Sequence, residues 1–146
     1  MMTTAPGFTL VRDFDATPEE LWSAWTDPDE IADWLHPRGV STPRDSVVFD
    51  TRVGGRYAYT MVNDESGDRY PTGGTYLELQ PFERLVFTWG VPDASDAPVA
   101  TVTFEPNGDR TRMTFDLRGV DGTPGDNSFY DGWDSAFDVL ADHVTA

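Results

Sequence analysis

From Val47 to Leu117 the sequence holds to a period of two, and helical spacing appears only on either side of that stretch. Residues two apart on a strand share a face, so a run of this length commits the middle of the chain to a sheet. The helices are left to the flanks. Within the run the strands read as Val47–Asp50, Arg56–Val62, Gly74–Leu79, Arg84–Val91, Val99–Glu105 and Arg110–Leu117. Pro81-Phe82-Glu83 and Asn107-Gly108 read as turns, the second because both residues tolerate positive φ. Gly54-Gly55 and Gly73-Gly74 read as turn glycines, while Asn63 to Arg69 and Pro92 to Pro98 read as polar loops.

The flanks carry their own start signals. Phe8, Leu10, Arg12 and Phe14 alternate as one strand. Thr17-Pro18-Glu19-Glu20 then supplies a capping box ahead of Leu21, Ala24 and Trp25. Asp27-Pro28-Asp29-Glu30 repeats the signal ahead of Ile31, Trp34 and Leu35. At the far end Phe129, Trp133, Phe137, Leu140, Ala141 and Val144 line one helical face, with Asp126 or Asn127 to cap it. Gly132 inside that helix costs up to about 1 kcal/mol relative to Ala, so packing must hold it. The order is strand, two short helices, about six strands and one long helix. The expectation is an α+β domain spanning residues 1–146, its long helix buried against one face of an antiparallel sheet. A sheet that curls around such a helix encloses a cavity lined by alternate strand residues.

Charge and composition exclude several classes of function. The chain has 146 residues, one domain's worth, with 26 acidic side chains against 10 basic and a net charge of -16. Nucleic acid is excluded as a partner, because its phosphates need cations, and an anionic membrane surface would repel the chain. There is no Cys, which removes thiolate chemistry, and no Lys, which removes Schiff-base and P-loop chemistry. No apolar run approaches the roughly 20 residues of a membrane span, and Met1 to Gly7 lacks a signal-peptide pattern. A cytoplasmic location is the expectation. The acid excess reads either as adaptation to high salt or as a genome composition that favours Arg and Asp, and the second is the simpler account.

The segments "ATPEELWSAWTDPDEIADWLHP", "VGGRYAYTM", "GTYLELQPFERLVFTW", "VTFEPNGDRTRMTF" and "GWDSAFDVLADHV" together resemble the domain homologous to the activator of the Hsp90 ATPase. That group belongs to the START/Bet v 1-like (SRPBCC) superfamily, and the resemblance runs from about Phe8 to Val144. It implies a helix-grip fold, a curved antiparallel sheet of six to seven strands wrapped around the C-terminal helix with a deep pocket between them. It implies no single activity. It also places the Trp34-Leu35-His36-Pro37 loop near the pocket mouth, where the family more often carries Gly before this Pro.

A site follows from these readings. Trp34 and His36 would bound the mouth, Tyr57, Tyr59 and Trp89 the sheet side, and Phe129 and Trp133 the helix side. Rings with a few polar groups suit a mainly apolar or aromatic small molecule. Two alternatives stand beside that binding domain: a cyclase- or lyase-type enzyme using His36 or Tyr57 as acid or base, and a chaperone-related interaction domain. No cofactor is expected, and no metal, since His36 has only Asp33 nearby. The chain is expected as a monomer or homodimer. Glu78 and Asp116 should face solvent, as should Asp131, Asp134 and His143. Arg12, on an apolar face, needs an Asp partner or a ligand carboxylate. If the charge excess is a salt adaptation, the melting temperature at about 2 M salt will clearly exceed that at about 0.05 M. A flat profile assigns the excess to genome composition.

Overall fold

A proline behind a capping side chain starts each of the first two helices. The structure is a computed structural model and describes residues 6–91 and 97–145. Strand β1 (Gly7–Phe14) leads into α1 (Pro18–Thr26) and α2 (Pro28–Trp34). Thr17 Oγ1 accepts the Glu20 amide at 3.1 Å and Glu20 Oε1 accepts the Thr17 amide at 3.0 Å, completing the capping box. Asp27 Oδ1 accepts the Asp29 amide at 2.9 Å, so α2 restarts at once. Trp34 Nε1 donates to Ala24 O at 2.6 Å and its ring meets Trp25 edge-on at 4.8 Å, which locks the two helices together.

Then come β2 (Val40–Ser41), a 3₁₀ turn, β3 (Val48–Phe49), β4 (Arg56–Asn63), β5 (Arg69–Gln80), β6 (Arg84–Thr88), β7 (Val99–Asn107) and β8 (Arg110–Arg118). The chain ends in α3 (Phe129–Val144). The strands form one antiparallel sheet in the order β1-β8-β7-β6-β5-β4-β2, with β3 also paired to β4. The sheet does not close into a barrel. Its strand count reaches eight because β2, only two residues long, leaves no periodic signal, whereas β3 lies within the expected strand Val47–Asp50.

Two local expectations are corrected. Gly73 and Gly74 are not a turn but lie inside β5. A Cβ on Gly73 would stand 2.6 Å from Tyr57 O, and one on Gly74 would stand 1.9 Å from Thr88 O, so both neighbouring strands need glycine there. Between Tyr76 and Glu78 the β5–β6 register shifts, and the extra residue, Leu77, turns outward and is 47% exposed. The expected loop Pro92–Pro98 lies outside the described residues except for Ala97 and Pro98, as do Met1 to Ala5 at the start.

The core sits between the concave face of the sheet and the apolar stripe of α3. Phe137 and Leu140 are fully buried, and Phe115 on β8 meets Trp133 at 4.4 Å and Phe137 at 5.2 Å. Arg12 shares the face of Leu10 and Phe14 yet pays no burial penalty unpaired: it meets Asp134 Oδ1 and Asp138 Oδ1, each at 2.7 Å. Burial opposes its charge, and hydrogen bonds to the two carboxylates more than compensate, so its pKa is raised. Asp134 is therefore a structural partner and not part of an idle solvated face. Asp131 likewise accepts the Gly125 and Asn127 amides at 2.9 and 2.7 Å. His143, expected at the surface, is half-buried, with Nε2 2.9 Å from Glu30 Oε1.

The cap of α3 comes from Asp126, one of the two residues expected there. Ser128 is the residue at the boundary and makes no side-chain cap bond. The Asp126 carboxylate instead accepts the amides of Ser128, Tyr130 and Asp131 at 2.9, 3.3 and 3.2 Å. Slight desolvation pushes this carboxyl up, and the backbone amides overcome it, so its pKa is lowered. Phe137→Ala, which touches only the core side of α3, will lower stability by about 3–5 kcal/mol in urea denaturation. A loss below about 1 kcal/mol would contradict the packing of α3 on the sheet.

Candidate functional site

Trp133 meets both Phe115 and Trp25, and one turn earlier Tyr130 still packs on Phe8 of β1 at 5.3 Å. Phe129, in that earlier turn, is 41% exposed. The gap between this half of α3, the ends of β4 and β5, and the residues after β6 is a cleft of about 920 Å³. Its walls include Tyr59 and Met61 from β4, Arg69 to Thr72 from β5, Trp89, Val91, Pro98, and Phe129, Gly132 and Trp133 from α3. Leu35, His36, Pro37 and Val40 close one end.

The ring wall is built around Trp89. Its indole meets Phe129 at 5.8 Å and Trp133 at 5.3 Å, both edge-on. Trp89 Nε1 donates to Tyr59 Oη at 3.0 Å, which fixes the ring and leaves the Tyr59 hydroxyl proton without an acceptor among the described residues. The Trp133 Nε1–H is buried and also has no partner among them. An unpaired buried donor costs about 1–3 kcal/mol, and the Trp25 indole N–H in the core carries the same deficit.

Of the seven residues expected at the site, His36, Tyr59, Trp89, Phe129 and Trp133 border the cleft. Two do not. Trp34 is fully buried behind α1, because its indole N–H is spent on Ala24. Tyr57 lies deeper, beside a void of only about 10 Å³, and its hydroxyl donates to Thr88 O at 2.6 Å. Burial pushes the pKa values of Tyr57, Tyr59 and Tyr76 upward, so all three stay protonated at neutral pH.

His36 has a defined tautomer. Its Nδ1 lies 3.1 Å from Thr42 Oγ1, whose single proton is donated to Leu35 O at 2.9 Å. Thr42 must then accept from His36, so Nδ1 carries the proton and Nε2 the lone pair. Burial lowers the pKa of His36, with Asp64 and Asp33 pulling weakly the other way. The ring is neutral at pH 7.

Sequence reasoning missed Arg69, assigned to a loop, and Thr42, whose role depends on a contact six residues away. Met61 was legible by alternation with Tyr57 and Tyr59. Among the described residues no cluster of His, Asp and Glu is arranged to hold a metal ion, and no helix is long and apolar enough to cross a membrane.

Residues 15–145 match the model of the family described as activator of Hsp90 ATPase homolog 1-like protein. Among solved structures, a protein from Chromobacterium violaceum is 32% identical, with a TM-score of 0.83 over 96% of this chain and 97% of that one. The AHSA1 protein from Silicibacter pomeroyi is 28% identical, with a TM-score of 0.79 over 95% and 97%. An AHSA1-like protein from Aeromonas hydrophila, 23% identical with a TM-score of 0.72 over 94% and 92%, shares the fold. Among curated proteins, none matches the sequence.

The depressed pKa of His36 sets a sign for stability. The unfolded chain binds a proton at His36 at higher pH than the folded chain does. This contribution is therefore fully present above pH 6.5 and is lost as pH falls below that value. His36→Gln will flatten the fall in stability just below pH 6.5, read as the difference between urea titrations of the two proteins. Parallel pH profiles would contradict the burial of the neutral ring.

Proposed function

The chain belongs to the activator of Hsp90 ATPase homolog 1-like family, and from that premise we propose that it holds a mainly apolar small molecule in the cleft between the sheet and α3. The observation that carries this reading is the combination of a cavity of about 920 Å³ and a wall of three rings. A molecule that buries about 300 Å² of apolar surface against those rings gains about 7 kcal/mol before the cost of association is met. The Tyr59 hydroxyl would donate to it, and His36 Nε2 would accept.

Acid–base chemistry through Tyr57 finds no support, since its hydroxyl is committed to Thr88 and the residue stands off the cleft. His36 has one nitrogen committed to Thr42, and among the described residues no carboxylate is hydrogen-bonded to it. The reading is of a binding domain that works without a cofactor, as a monomer or homodimer, with no nucleic-acid or membrane partner.

Gly132 gives the test. A Cβ built there meets nothing within 4 Å, and the residue borders the cleft. Gly132→Ala will raise stability by up to about 1 kcal/mol, since the helix gains propensity without a clash. Gly132→Phe will fold, fill the cleft and abolish the rise in melting temperature that apolar acids and aromatic compounds give the parent protein. Ligands that stabilise both proteins equally would overturn this site.

A further inference from the structure

Acids outnumber arginines in the chain 26 to 10, yet among the described residues that line the cleft the balance is reversed. No Asp or Glu is among its described lining residues, and Arg69 is there. The lining is not short of polar positions, for His36, Tyr70, Thr72, Asn127 and Ser128 also border it. Asp33 and Asp64 reach His36 only through their fields, and neither borders the cleft.

Arg69 differs from the other arginines. Arg12, Arg38, Arg44, Arg52, Arg84, Arg112 and Arg118 are each paired with a carboxylate. Arg110 donates to Asp13 O at 3.1 Å, and Arg56 also has a partner. Among the described residues Arg69 has none. This guanidinium stands at the edge of an apolar cavity and pairs with no carboxylate among the described residues.

We propose that the occupant of the cleft is an apolar carboxylic acid, its carboxylate on Arg69 and its hydrocarbon part against Trp89, Phe129 and Trp133. The inference rests on the binding role assigned to the cleft. A planar guanidinium matches a carboxylate through two parallel hydrogen bonds. One cation answers one negative charge, whereas a phosphate dianion would need more and would meet stronger repulsion from a protein of net charge -16. An amine finds no carboxylate among the described lining and meets Arg69 instead.

Decanoate, decanamide and decylamine separate these possibilities, since they share a chain and differ in charge. Binding is read by calorimetry and by tryptophan fluorescence. Decanoate will bind the parent protein at least about tenfold more tightly than decanamide, with decylamine weakest. Arg69→Gln, at an exposed position, will bring decanoate and decanamide within about twofold, and Arg69→Lys will keep most of the preference. Equal binding of decanoate and decanamide to the parent, or a preference that Arg69→Gln leaves unchanged, overturns the carboxylate inference while the cleft still binds. If none of the three binds, the binding role itself fails, and this inference with it.

Discussion

The packing of Trp133 and Phe137 against Phe115 is the contact on which the rest of the molecule depends. It holds the C-terminal half of α3 hard against the sheet, where Phe137 and Leu140 lose all contact with solvent. Phe137 and Leu140 face the core from this helix, and Phe129 and Gly132 border the cleft. Trp133 belongs to both, since it packs on Phe115 and also lines the cleft.

Polar groups are placed to serve both halves. On the clamped side Arg12 spans from β1 to Asp134 and Asp138, joining the first strand to the last helix across the edge of the core. On the open side the hydrogen bonds run between neighbours that face the cavity: Trp89 to Tyr59, and His36 to Thr42. These bonds orient rings and fix a tautomer. They leave the Tyr59 hydroxyl proton and the His36 Nε2 lone pair without a partner among the described residues.

Much of the fold was legible because each level of the sequence points the same way. Helix caps, period-two strands and the helical stripe agree on the element order, and the structure has that order. The exceptions have local physical causes. Gly73 and Gly74 look like a turn by type, but strand contacts with Tyr57 and Thr88 set the need for glycine, and those contacts are made across the sheet. Leu77 looks inward by alternation, and a one-residue bulge turns it out. At the candidate site, alternation placed Tyr59 and Trp89 on the inner face, but depth is not periodic. Whether a ring borders a cavity or fills the core behind it depends on how far the helix stands from the sheet. Trp34 and Tyr57 fell on the core side of that line.

The sheet ends on one side at β2, which is two residues long. Edge strands recruit stray chains by offering a row of free amides and carbonyls, and a margin this short offers almost none. An open sheet that wraps a ligand must keep free margins, because closing them would seal the entrance. Here the exposed border next to the cavity is too brief to template another strand. At the opposite margin β1 runs for eight residues, so an added strand would find its template on that side instead.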